Sequence, residues 1–240
     1  MHDNSHAHLN GGLLQRLWVV FNCLPECNFK MRLRFFMAFS RFVPTPIRRM
    51  SPIRASIEHY TPQPGDTVVD GGAFPGDFTI FASRRVGPSG RVFAFEPNPK
   101  NFACLQRQVA AFGCSNVVLV PKGLWHSDCS MRMSGTGVSV QLSAEGEHSV
   151  ELVALDAEMK RLGVARVDFL KLDIEGAEPE ALKGGMKTLM KNCVHLAVAC
   201  YHDYEGHETR GEIERVLRSA GYDFEVGCPE RPNLYAQKKP

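Results

Sequence analysis

An α/β fold, a mostly parallel twisted sheet with helices on both faces, follows from three observations in this sequence. Short apolar runs alternate with stretches of helical period from Thr67 onward. A glycine-rich turn, Asp70-Gly71-Gly72-Ala73-Phe74-Pro75-Gly76-Asp77, follows the first run directly. Farther on, Lys171-Leu172-Asp173-Ile174-Glu175-Gly176-Ala177-Glu178 sets a lysine and three carboxylates where a buried strand ends. Carboxylates are rarely buried without partners, and open parallel sheets bind ligands outside the carboxyl ends of their strands. That cluster therefore reads as a site rather than as packing.

The chain divides into three stretches. Residues 1–12 are polar and His-rich (His2, His6, His8) and read as a disordered tail. Residues 13–60 form an N-terminal helical segment that is apolar and one-sided in charge. Leu13, Leu14, Leu17, Trp18, Val20, Phe21 and Leu24 make one cluster, and Met31, Leu33, Phe35, Phe36, Phe39, Phe42 and Val43 a second. Between Cys27 and Ile57 lie seven basic residues and no acidic one. Such a segment is expected either to cover the main domain as a lid or to lie in a membrane interface. Pro44, Pro46, Pro52, Pro62 and Pro64 punctuate the entry to the main domain, residues 61–240.

Within that domain the pattern predicts a strand over Thr67–Asp70, a helix over Asp77–Arg85 and a turn at Gly87-Pro88-Ser89-Gly90. A strand over Arg91–Phe95, a helix over Asn98–Phe112 ended by Gly113, and a strand over Val117–Val120 follow. Residues 127–155, with Gly135, Gly137 and Gly146, read as a β-hairpin insertion. Then come a strand (Val167–Asp173), a helix (Pro179–Lys191), a strand (Leu196–Cys200) and a helix (Glu208–Ala220). Asp223–Val226 and Leu234–Gln237 close the fold as an antiparallel hairpin.

The totals narrow the function. A length of 240 residues, 44% hydrophobic and 22% charged, suits one globular domain with a short appendage. A net charge of +2 argues against nucleic acid as a partner. Eight scattered cysteines, of which only Cys23 and Cys27 are close, read as reduced thiols rather than as a zinc site. With no secretory signal and no spanning helix, the expected location is cytoplasmic, possible contact with the inner face of a membrane through residues 13–50 aside.

The glycine turn can be read as a degenerate nucleotide fingerprint. Gly71, Gly72 and Gly76, with Ala73, let the backbone approach a ligand. Glu96, 20 residues past Gly76 at the end of the second strand, suits the paired hydroxyls of a ribose. A phosphate would prefer a helix N-terminus free of negative charge. Asp77 sits in that first turn instead, so Asp70 and Asp77 suit a cationic ligand such as the methionyl end of S-adenosylmethionine.

The blocks V-V-D-G-G-A-F-P-G-D-F, G-R-V-F-A-F-E-P-N-P-x-N-F and V-D-F-L-K-L-D-I-E-G-A-E, with a later histidine, resemble the FkbM family of S-adenosylmethionine-dependent methyltransferases. The likeness runs from about Asp66 to His202, and Phe74-Pro75 departs from the small or polar residues usual in that loop. It implies a Rossmann-like class I methyltransferase fold and methylation of a hydroxyl on a sugar or natural product. The adenine contact maps to Gly123-Leu124-Trp125, with Trp125 either stacked on the base or part of the core.

Methyl transfer to a hydroxyl needs alignment and a base. Asp173, which shares a strand face with Lys171, is expected to line the place where methyl and acceptor meet. Glu175 would orient it or touch the substrate, and Glu178 would start the following helix. Lys171 is expected to neutralise Asp173 or Asp70. His202, at the next strand's carboxyl end, is the natural general base. No metal ligand is assigned, although Asp173, Glu175 and His202 have donor types that suit Mg²⁺ or Mn²⁺. The expected function is thus S-adenosylmethionine-dependent O-methylation of a glycan, a lipid-linked sugar or a small natural product. A nicotinamide-dependent oxidoreductase would explain the glycines and Glu96 but not the K-L-D-I-E-G-A-E block. A non-catalytic membrane-associated binding protein would leave both sets idle.

Overall fold

A computed structural model describes residues 26–43, 48, 51–135, 141–142, 146, 148–204, 206–229 and 231–238. The expected tail, the cluster from Leu13 to Leu24, Cys23, Pro44, Pro46 and Gly137 lie outside the described residues.

Two helices precede the sheet, α1 (Asn28–Phe39) and α2 (Pro52–Ser56). The central elements then alternate: β1 (Thr67–Gly71), α3 (Asp77–Val86), β2 (Arg91–Phe95), α4 (Pro99–Ala111) and β3 (Val117–Val120). An insertion of short strands follows, β4 (Gly123–Trp125), β5 (Cys129–Ser134), β6 (Gln141–Leu142) and β7 (His148–Ala154). The second half runs α5 (Leu155–Arg161), β8 (Phe169–Leu172), α6 (Glu178–Gly184), α7 (Met186–Lys191) and β9 (His195–Ala199). It ends with β10 (Asp203–Tyr204), β11 (His207–Glu208), α8 (Arg210–Ser219), β12 (Tyr222–Gly227) and β13 (Asn233–Lys238).

Among the described residues the main sheet has the order β12-β13-β9-β8-β1-β2-β3. Strands β9, β8, β1, β2 and β3 pair in parallel, and β13 lies antiparallel to both β9 and β12. Strand alternation assigns the two faces. Val69, Phe93, Leu170 and Leu196 pack with Leu155, Met159, Leu182, Leu189, Ile213 and Leu217 from α5 to α8. Their chain neighbours Val68, Val92, Phe169 and Ala197 pack instead with Ala38, Ile53, Phe78, Phe81 and Val86 from α1 to α3. Helices therefore cover both faces, as the sequence pattern predicts.

Some details differ from that pattern. The stretch Pro179–Lys191 is two helices rather than one, broken at Gly185. A side chain at the adjoining Gly184 would overlap the Trp125 carbonyl, so the break sits where the helix passes the insertion. Gly123–Trp125, expected as a turn, is a strand parallel to β7 within a separate four-stranded sheet. The helix Leu155–Arg161 and the small β10–β11 hairpin carry no clear periodic signal. Trp125 is buried with Met133, Val150, Leu152 and Ala177, which makes it a core residue.

The N-terminal basic residues are not one solvated face. Lys30 and Arg34 are buried and converge on Glu26 Oε1 at 2.7 and 2.9 Å, while the Arg54 Nε donates to the Ala38 carbonyl at 2.9 Å. Cys27, Cys104, Cys114, Cys129, Cys193, Cys200 and Cys228 are all free. Among the described residues no helix is long and apolar enough to cross a membrane.

Candidate active site

The carboxyl ends of β1, β2, β8 and β9 meet at one edge of the sheet, and the side chains singled out by sequence gather there. Gly72 takes a φ of +73°, and a Cβ on it would overlap the backbone carbonyl oxygen of Asp173. Only glycine fits a turn pressed this closely against the neighbouring strand. Gly76, with a φ of +108°, is the N-cap of α3, so the helix starts immediately after the turn. The resulting loop is backbone-lined, with Ala73 almost fully buried beneath it.

Asp70 sits lower than a ligand contact requires. Its side chain is fully buried, its Oδ2 accepts from the Thr79 hydroxyl at 2.6 Å, and its Oδ1 lies 3.1 Å from Lys171 Nζ. Asp70, expected to flank a ligand, here holds the loop from inside through Thr79 and Lys171. Lys171 completes that anchor, donating to the carbonyls of Gly71 at 3.1 Å and Gly72 at 2.8 Å. Burial opposes charge on Lys171, but the carboxylates of Asp70 and Asp173 hold its pKa above the ordinary lysine value. Of the two partners foreseen for this lysine, Asp70 is the one in contact. Asp77 is buried in the first turn of α3, where its Oδ1 accepts the Phe78 N–H at 2.9 Å.

Glu96 closes the other side of the loop. Its Oε1 accepts the Asn98 N–H at 3.0 Å and its Oε2 the Phe74 N–H at 3.4 Å. Burial pushes its carboxyl up to about 7, against the pull of those two backbone donors. The residues after it explain why the E-P-N-P spacing works. Asn98 caps α4 by accepting from the N–H groups of Lys100 and Asn101, and Pro99 occupies the first helical position. The same Asn98 donates to the Gly135 carbonyl at 3.1 Å, which ties the insertion to the site. Beside Glu96 a narrow apolar slot of about 40 Å³ is lined by Gly72, Phe95, Pro97, Gly123, Leu124, Met133 and Ile174, among others. A larger cavity of about 310 Å³, between His59, Tyr60, His195 and Glu225, lies at the opposite end of the strands. It is remote from the glycine turn and the acidic block.

The acidic block folds back on itself. Asp173 follows β8, and Glu175 adopts a φ of +56° in the tight turn that leads to Gly176 and α6. Glu178, fully buried at the start of α6, accepts the Ile174 N–H at 2.8 Å on Oε1. The same oxygen lies 2.9 Å from His202 Nδ1. His202 Nε2 points the other way, 3.6 Å from both Asp173 Oδ1 and Glu175 Oε2. Burial lowers the His202 pKa, but the Glu178 hydrogen bond and the three surrounding carboxylates outweigh it and raise the imidazole above its ordinary value. Burial pushes the Asp173 carboxyl up, while Lys171, Arg231 and His202 together hold it below the usual range. Glu175 goes to about 7, driven by burial, with His202 opposing and Asp173 and Glu178 adding to the rise.

Sequence reasoning missed three contributors. Glu178 starts its helix as expected but also fixes His202. The Tyr201 hydroxyl donates to Asp173 Oδ1 at 3.2 Å, and the Arg231 guanidinium donates to that hydroxyl at 2.7 Å. Arg231 also lies 3.5 Å from Asp173 Oδ2. Tyr201 was legible as the neighbour of His202, whereas no local motif marks Arg231. Single ligand atoms of Asp173, Glu178 and His202 lie within 4.8 Å of one another, a donor set a divalent cation can use.

Comparison with known proteins agrees with this layout. A model of the methyltransferase FkbM domain matches residues 70–224. Methyltransferase sdnD of Sordaria araneosa is 28% identical over 197 residues, 65% of this chain and 73% of its own length. The 31-O-demethyl-FK506 methyltransferase FkbM of Streptomyces tacrolimicus is 27% identical over 205 residues, 71% of this chain and 76% of its own. Methyltransferase 1 of Beauveria bassiana (strain ARSEF 2860) is 29% identical over 51% of this chain, which spans 60% of that relative's length. In structure, the methyltransferase FkbM of Methylobacillus flagellatus KT superimposes with a TM-score of 0.58 at 14% identity. That match covers 86% of this chain and 57% of the other. The architecture is that of the methyltransferases on which this chain superimposes. With its family model covering well over half of its residues, the chain belongs to the FkbM methyltransferase family.

Proposed function

We propose that this protein is an S-adenosylmethionine-dependent O-methyltransferase acting on a hydroxyl of a small-molecule or glycan acceptor. The observation that carries the reading is the Glu178–His202 hydrogen bond, which fixes Nδ1 and leaves Nε2 facing Asp173. This is the arrangement a general base needs: one nitrogen held, the other presented to the acceptor.

The residues present fit the cofactor. Glu96 offers a buried carboxylate to a ribose diol, and the glycine turn leaves its backbone open for close approach. The apolar slot beside Glu96 takes a face of the base, and Asp77 and Asp173 supply negative charge for a cationic ligand. When bound, S-adenosylmethionine supplies an electrophilic methyl group on a positively charged sulfur.

The chain's own residues then have distinct tasks. Asp173, held below the usual carboxylate range by Lys171 and Arg231, lies beside His202 Nε2 and sets the direction from which the acceptor hydroxyl, donating to that nitrogen, would approach. His202 Nε2 would take the hydroxyl proton as that oxygen is methylated. Glu178 stabilises the resulting imidazolium. Glu175, with a pKa of about 7, passes that proton toward solvent. The Streptomyces tacrolimicus relative is named for methylation of an oxygen, which supports the same chemistry here.

Calorimetric titration with S-adenosylmethionine, S-adenosylhomocysteine and NAD tests the cofactor, followed by a screen of hydroxylated acceptors with and without EDTA. Binding of both adenosyl compounds but not NAD, and EDTA-insensitive turnover, is expected. A folded protein that binds neither adenosyl compound would overturn the reading.

A further inference from the structure

Helix α1 carries its large aromatic residues on the wrong side for a water-facing helix. Its inner face is Lys30, Met31, Arg34 and Ala38, all buried. Its outer face holds Phe29 and Phe36, 76% and 52% exposed and two turns apart, with exposed Arg32 between them. Just past the helix Phe42 is 78% exposed, and the Arg41 guanidinium lies 5.1 Å from its ring. Exposed Arg84 of α3 borders the same surface, over the ring of Phe35. Lys30 and Arg34 are turned inward onto Glu26, whereas Arg32, Arg41 and Arg84 make no ion pair among the described residues.

We infer that this ridge is a docking surface for an anionic membrane. Three features choose that occupant. Exposed Phe29, Phe36 and Phe42 stand among exposed Arg32 and Arg41, which suits the boundary between headgroups and acyl chains. Its charge is of one sign, since residues 28–57 contain no acidic side chain. The sequence that precedes the helix is itself rich in apolar residues, Leu13, Leu14, Leu17, Trp18, Val20, Phe21 and Leu24. Aromatic rings would enter the interface while Arg32, Arg41 and Arg84 meet the lipid phosphates.

The test is flotation of the full chain with phosphatidylcholine vesicles, with and without phosphatidylserine, in the absence of any cofactor. Two variants accompany it, Phe29→Ser with Phe36→Ser, and Arg32→Glu with Arg41→Glu. Light scattering records the oligomeric state, and thermal melts confirm that each variant is folded. The expected result is binding to phosphatidylserine vesicles that weakens with salt and drops at least about tenfold in each variant. A folded wild-type chain that ignores both vesicles would overturn the proposal, as would equal binding by the variants. A wild-type dimer that the Phe29→Ser/Phe36→Ser protein no longer forms would overturn it too, and would assign the ridge to a second copy. None of these outcomes depends on methyl transfer.

Discussion

Glu178 and His202 share one hydrogen bond, 2.9 Å from Oε1 to Nδ1, at the junction of two neighbouring strand ends. The carboxylate is fully buried and held from behind by the Ile174 N–H, so the imidazole is oriented by a group that cannot itself move to solvent. His202→Ala is expected to lower kcat by roughly 10²–10⁴, the usual worth of a positioned base. Glu178→Gln keeps an acceptor oxygen but removes a charge that raises the imidazole pKa. Its rising pH–rate limb should therefore shift to lower pH than that of the wild type. Steady-state pH profiles of both proteins check this, and an unmoved limb would remove His202 from the proton's path.

Glu96 predicts a pH dependence of cofactor affinity. A ribose diol donates to the ionised carboxylate, yet burial holds that group at a pKa of about 7 in the free protein. Affinity for S-adenosylhomocysteine should weaken about tenfold from about pH 8 to about pH 6, and Glu96→Gln should flatten the curve. The stability consequence has the opposite sign. Because the folded pKa lies above the ordinary 4.5, ionising Glu96 opposes folding. The free protein should lose on the order of 3 kcal/mol in total from this group as pH rises from about 4.5 to above about 7. Calorimetry and denaturant titration at several pH values measure both.

Gly72 and Gly87 separate backbone strain from close approach. Both have positive φ, but a Cβ on Gly87 meets nothing within 4 Å, whereas one on Gly72 overlaps the Asp173 carbonyl. Gly87→Ala should cost about 1–2 kcal/mol and leave cofactor binding intact. Gly72→Ala should cost more and abolish binding, because either the turn or the Asp173 strand end must move. Comparable losses in melting temperature and affinity for the two variants would count against the proposed geometry.

Lys171 is the internal tie of the loop. Lys171→Met leaves Asp70 buried without its cation and frees the Gly71 and Gly72 carbonyls, which should destabilise the protein by about 3–5 kcal/mol. Adding Asp70→Asn to that variant removes the stranded charge while keeping a group that can accept from Thr79. The double variant should regain part of the stability but not the cofactor affinity. A double-mutant cycle with chemical denaturation and calorimetry separates the two effects.

Much of this was legible in the sequence because the physics is local. Val68/Val69 and Phe169/Leu170 alternate between two cores, so apolar runs bounded by glycine and proline read directly as buried strands. Asp173, Glu175, Glu96 and His202 could be placed because each falls at or just past the end of such a run. The break at Gly185 was not legible, since nothing in Pro179–Lys191 signals that Gly184 must pass the Trp125 carbonyl. The inward hydrogen bonds of Asp70 were not legible for a related reason. Its position on the strand was right, but whether a side chain points at a ligand or under a loop depends on the neighbouring strand's Lys171. Arg231 was invisible because β13 brings it next to Asp173 from 58 residues away.

That last placement bears on how the molecule is made. The glycine turn, Glu96, Asp173 and His202 all leave a ribosome before Arg231 does. A chain arrested just short of it could assemble the shelf for the cofactor while lacking the cation that steadies Asp173 and Tyr201. It would also lack β13, so the Leu196–Ala199 edge of β9 would stand bare, with its unpaired backbone groups open to other chains. Completion of the central sheet and arrival of the cation beside Asp173 are thus one event in biosynthesis. Premature products would be prone to aggregate before they could hoard cofactor.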